Sequence, residues 1–145
     1  MPATDWAYAQ PSVRMLWWGL GVGIVFAALL AATSQYAGAL FTPDPAVREL
    51  LGGVLLVAAL FQPVAGVVFV LDGVLIGAGD GRYLAAAGVV TLAVFVPLGW
   101  LVYETRAGLV WLWLAFGGFM LARLATLLSR ARSDAWLVVG PSFPA

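Results

Sequence analysis

FQPVAGVVFVLDGVLIGAGDGR, residues 61–82, lies inside a long apolar run yet carries a glutamine, a proline, an aspartate and five glycines. A helix that only faced lipid would span a bilayer more stably with leucine and valine at those positions. Pro63 has no N–H for the carbonyl of Ala59, and its ring crowds that turn. In hydrocarbon no water meets the freed carbonyl, so protein must surround it. Gln62 supplies polar atoms beside that gap. Asp72 tolerates membrane depth only with a partner or a wet cavity. The stretch therefore belongs to a helix in the interior of a bundle, and Gln62-Pro63 has two readings there, a packing kink and a hinge lining a path.

Composition sets the class. Hydrophobic residues make up 63% of the 145 and charged residues 10%, against roughly 45–50% and about 25% in soluble domains. The chain is a polytopic membrane protein, and the lipid bilayer is its first partner. Seven arginines balance seven acids with no lysine, so no basic field points to nucleic acid. Without cysteine or histidine, disulfides, thiolate zinc sites and histidine-based catalysis are excluded. No carboxylate pair, nucleophile–base set or metal cluster falls within the apolar segments. Neither an enzyme nor a cofactor or metal is expected.

Outward from the central stretch, four spanning helices are predicted, over about 15–40, 47–78, 83–102 and 109–128. Residues 1–14 are expected to form an interfacial tail, and Trp6, Trp17 and Trp18 fit an aromatic belt. A signal peptide competes for the first segment, but its apolar core is about 7–15 residues and Met15 to Leu40 is longer. Gly19 and Gly23 form a G-x-x-x-G face suited to close helix approach. FTPDPA, residues 41–46, is a turn in which Asp44 or Thr42 can cap the next helix. The second helix exceeds the roughly 30 Å core at 1.5 Å per residue, so it must tilt, bend or break, and Pro63 is the expected place. Residues 141–145 are expected to fray.

GAGDG, residues 77–81, resembles a phosphate-cradling loop only superficially, because a dinucleotide fingerprint needs a preceding strand and a βαβ unit. The better reading is a tight turn built on Gly79, Asp80 and Arg82, on the cytoplasmic side. Gly73 and Gly77 repeat the G-x-x-x-G spacing, for which close packing within the chain is preferred to dimerisation. Asp72 and Arg123 each lie about seven residues from the same end of their helices, roughly 10 Å of rise. A buried ion pair is expected between them, with Gly73 and Gly77 bringing the helices together. Arg14, Arg82, Arg130 and Arg132 fall on one side and Arg48 and Arg106 on the other, which predicts cytoplasmic termini.

FTPDPAVRELL, then QP followed by FVLDGVLIGAGDGRYL, then GLVWLW and FMLARLATLLSR, resemble the C-terminal part of a multidrug and toxic-compound extrusion (MATE) transporter. Within that family they are most similar to the branch named after the DNA-damage-inducible protein F (DinF). The resemblance runs from about Met15 to Gly140 and implies an all-α fold whose four helices match the ninth to the twelfth of twelve. It implies plasma-membrane export of organic compounds by cation-coupled antiport through alternating access. Gln62 and Pro63 would line or flex one side of the cavity. The DinF-like proton-coupling carboxylates would lie among the eight helices not present in these residues. Ala65 stands where the sodium-coupled branch carries an aspartate, so that cation site has no counterpart. A small organic substrate is then expected only in a complete transporter. A small membrane interaction protein, assembling with a separate chain that supplies the other helices, and an inactive remnant are the alternatives.

Overall fold

The computed structural model describes residues 5–133, with side chains described over 13–133. Its elements are α1 (Asp5–Phe41), α2 (Pro45–Gly77), α3 (Gly81–Thr105) and α4 (Leu109–Ala131). Among the described residues all four are long and apolar enough to cross a membrane, and there is no strand. The chain is an all-helical, multi-pass membrane protein.

Helix ends follow local chemistry. The Asp44 carboxylate accepts from the Ala46 N–H at 2.9 Å and caps α2, whose first residue is Pro45. That is where a missing N–H costs nothing. Thr42 acts from outside the helix, its hydroxyl accepting from the Asp44 N–H and its carbonyl from Arg48 Nε at 2.7 Å. At the other end of α2 the Asp80 N–H reaches the Leu75 carbonyl, and the Gly79 N–H reaches that of Ile76. With Gly79 at φ +77° this is a Schellman closure, which favours glycine at its left-handed position. The α3–α4 connection repeats the pattern with Arg106 at φ 49°.

One expectation is corrected here. Residues 5–14, expected to be a tail, continue α1, although the apolar span itself begins at Val13. Pro11 does not end the helix; it lies near the helix start, where little of the hydrogen-bond ladder depends on its N–H. α2 is one continuous helix through Pro63, so of tilt, bend and break only the break is excluded. The far tail, 134–145, and the Trp6 side chain lie outside the described residues.

The helices form a row rather than a closed ring. α1 packs along α2, α2 packs on α4, and α4 packs on α3, with only a light touch between α2 and α3. α1 turns one stripe inward: Leu16, Leu20, Gly23, Ala27, Leu30 and Ser34 are buried or half-buried. Their alternating spacing of four and three residues is the seam of two helices crossing at a shallow angle. The most buried packing lies near the α2–α3 turn, where Val68, Leu71 and Leu75 meet Leu127; Leu75 and Leu127 are 0% exposed. Outer faces of α1 and α3 carry exposed apolar side chains such as Phe26, Leu29, Val89 and Trp100, as lipid requires.

Gly73 and Gly77 do not hold helices together: a Cβ at either meets nothing within 4 Å. The close approach is elsewhere. A Cβ at Gly19 would lie 2.7 Å from the Gly66 carbonyl oxygen, and one at Gly66 would strike the Gly19 carbonyl. α2 and α4 instead meet through full side chains, Leu71 and Leu75 against Leu127. The glycines at 73 and 77 fall on the exposed side of α2.

Candidate functional site

Phe61, Gln62 and Pro63 are half-buried in the middle of α2, and glycines on both neighbouring helices grip them. A Cβ at Gly23 of α1 would lie 2.5 Å from the Gln62 carbonyl oxygen and 2.8 Å from Pro63 Cα. The α1 backbone therefore rests directly on the peptide unit that precedes the proline. On the other flank the Phe61 ring occupies the place that a Cβ at Gly117 of α4 would take. Gly117 itself is buried. At Gly23 glycine is required because a side chain would meet the α2 backbone and push that helix away, whereas at Gly117 a side chain would displace the Phe61 ring. The segment that lacks one helix hydrogen bond is thus held from outside on two flanks.

Below it, toward the α2–α3 turn, lie two carboxylate–guanidinium pairs. Arg123 Nη2 of α4 donates to Asp72 Oδ1 of α2 at 2.7 Å, with side chains 16% and 22% exposed respectively. Arg123 Nη1 donates to the Leu84 carbonyl of α3 at 3.3 Å. One guanidinium thus ties three helices. It reaches Leu84 past Gly88, where a Cβ would lie 3.7 Å from Nη1. Lone charges at this depth cost roughly 2.5–3.5 kcal/mol each on insertion scales, so mutual neutralisation is what lets both stay.

The second pair is absent from the sequence reading. Arg130 Nε donates to Asp80 Oδ2 at 2.6 Å and Nη2 to Oδ1 at 3.2 Å. This two-point grip is the arginine–carboxylate geometry that is strongest and most directional. Its guanidinium carbon also lies 4.8 Å from the centre of the Tyr83 ring. The Tyr83 hydroxyl donates to the Thr126 carbonyl at 2.6 Å. Asp80, placed in the turn by sequence, is therefore also an anchor for α4. Gly79 supplies the positive φ of that turn, and Arg82 stands exposed in the first turn of α3. A signal for the second pair existed. Asp80 follows Asp72 by eight residues and Arg130 follows Arg123 by seven, each about two helical turns.

Among the described residues no group of three or more histidine, cysteine, aspartate or glutamate side chains is placed to hold a metal. The arrangement is mechanical: a proline-containing segment seated between two glycines, above a pair of ionic ties.

Four helices long and apolar enough to cross a membrane define a polytopic membrane protein. The MatE family model matches residues 8–101, which is more than half of the chain; the chain belongs to the MatE family, a family of membrane transporters. The match covers most of α1, all of α2 and most of α3. Neither the curated proteins nor the solved structures yield a match.

Proposed function

We propose that this chain forms the last four helices of a DinF-like MATE exporter, which expels xenobiotic organic compounds across the plasma membrane by cation-coupled antiport. The D-G-V-L-I-G-A-G-D string at residues 72–80 supports the branch. Ala65, in the place of the sodium-coupled branch's aspartate, favours H⁺ as the coupling ion. In this reading the helices are the ninth to the twelfth, and alternating access rocks one bundle against another around a central site.

The observation that carries the proposal is the seating of Phe61-Gln62-Pro63 between Gly23 and Gly117. A helix weakened at Pro63 bends there at least cost. Glycine contacts on both flanks give the bend one defined resting position. The ties at Asp72–Arg123 and Asp80–Arg130 make the lower half of α2 move with α3 and α4 as a unit. Gln62 and Pro63 are then the flexing side of the cavity, and the outer apolar face of α3 takes the remaining helices, while that of α1 faces lipid.

The open row of helices favours a partner: a separate or continuous stretch of chain supplies the other helices. The test is ethidium efflux from cells stripped of their own exporters. The 145-residue chain alone is expected to move none. Fused behind the first eight helices of a DinF-like exporter, it should restore efflux, and Pro63→Ala should reduce that efflux severalfold. Efflux by the chain alone, abolished by Pro63→Ala, contradicts the proposal.

A further inference from the structure

We propose that the outward face of α1 is a binding site for one anionic phospholipid of the surrounding leaflet. Its phosphate sits on Arg14 and an acyl chain lies in the trough below. That trough is a shallow, open groove between side chains of one helix, lined by Arg14, Trp17, Trp18, Gly21, Val25 and Phe26 among others. The lining recurs at helical spacing along the exposed side of α1, and Trp18 also borders a groove shared with α2.

Three observations select the occupant. Arg14 is exposed in the first turn of the α1 span, which starts at Val13. That is headgroup level, and Trp17 and Trp18, 68% and 67% exposed, flank it as interfacial aromatics do. Among the described residues Arg14 meets no acidic side chain, in contrast to Arg123 and Arg130, each of which holds a carboxylate. An unpaired guanidinium at headgroup depth is a two-point donor for phosphate.

Apolar surface continues from that cation without another charge, down to Phe26. The rise from Arg14 to Phe26 is about 18 Å, the reach of one extended fatty-acyl chain. Among the described residues no carboxylate lines the trough to receive the ammonium of a zwitterionic headgroup, so complementarity favours an anionic lipid. Gly21 is the third observation. Unlike Gly19 and Gly23, which press on α2, a Cβ at Gly21 meets no protein atom within 4 Å. It keeps the trough open where protein packing makes no such demand, in a helix where glycine is a poor former.

The site stands apart from export and is tested on the whole chain reconstituted in phosphatidylcholine vesicles. Brominated phosphatidylglycerol or brominated phosphatidylcholine is added, and quenching of tryptophan fluorescence is measured. The anionic lipid should quench more, and the excess should disappear in the Trp17→Phe/Trp18→Phe double variant. Arg14→Gln should weaken the preference about fivefold, the effect of one cation near an anionic surface; Arg14→Lys should keep most of it. Gly21→Leu should remove the excess by filling the trough while leaving the charge in place. Equal quenching of the unaltered chain by both lipids overturns the proposal without any variant having to fold. A preference that survives both Arg14→Gln and Gly21→Leu overturns it too. So does a trough covered by a second copy, seen as disulfide-linked dimers of the Trp18→Cys chain with no lipid preference.

Discussion

Arg123 is the residue on which three helices converge, since it holds the Asp72 carboxylate and the Leu84 carbonyl at once. Asp72→Asn and Arg123→Gln should each lower stability by about 2–4 kcal/mol, because either leaves the other charge uncompensated at membrane depth. The double variant should lose clearly less than the sum, and folded yield in detergent against a denaturant series measures all three. Additive losses would mean that the two side chains do not meet in the membrane. Asp72 and Arg123 were legible in the sequence because each is a single charge in an apolar stretch, at equal distance from the same membrane face. Asp80–Arg130 was not read, although its spacing repeats the first pair. Asp80 follows Gly79, whose turn chemistry offered a sufficient local reason for a small polar residue. A residue with a local explanation hides a tertiary one.

At the scale of helices, glycine spacing decides less than the neighbour it faces. Gly19 with Gly23 and Gly73 with Gly77 share one pattern, yet only the first pair touches another helix. The period of a G-x-x-x-G string fixes that two small residues share a face, not which helix covers that face. Helix register decides, and register is a property of the assembled row. The contrast is testable by single alanines. Gly23→Ala and Gly66→Ala should separate α1 from α2 and destabilise the chain by about 1–3 kcal/mol, as overpacking does. Gly73→Ala and Gly77→Ala should be neutral or stabilise by up to about 1 kcal/mol, the helix propensity gained over glycine. Thermal unfolding in detergent, followed by helicity, reads both sets; equal losses at all four positions would contradict the assigned register.

Across the whole molecule, hydropathy gave the number of helices, and turn residues placed most of their ends. The order α1–α2–α4–α3 across the layer was not legible, because apolar faces directed at lipid and at protein look alike in composition when lipid is the solvent. The antiparallel sequence of spans nonetheless puts the α1–α2 and α3–α4 connections at one end and the α2–α3 turn at the other. The paired arginine at that turn bears on orientation. Arg130 is neutralised by Asp80, but topology responds to arginine and lysine rather than to net charge. The side holding Arg14, Arg82, Arg130 and Arg132 is therefore still expected to be cytoplasmic against Arg48 and Arg106. Single cysteines test this in a chain that has none of its own. Ala46, Thr105 and Gly81 are exposed, and a Cβ at Gly81 meets nothing within 4 Å. In intact cells a membrane-impermeant thiol reagent should label Ala46→Cys and Thr105→Cys, and should reach Gly81→Cys only after the membrane is opened. Labelling of Gly81→Cys alone would mean the inverted insertion. Labelling of Ala46→Cys without Thr105→Cys would mean that one of the four helices fails to cross.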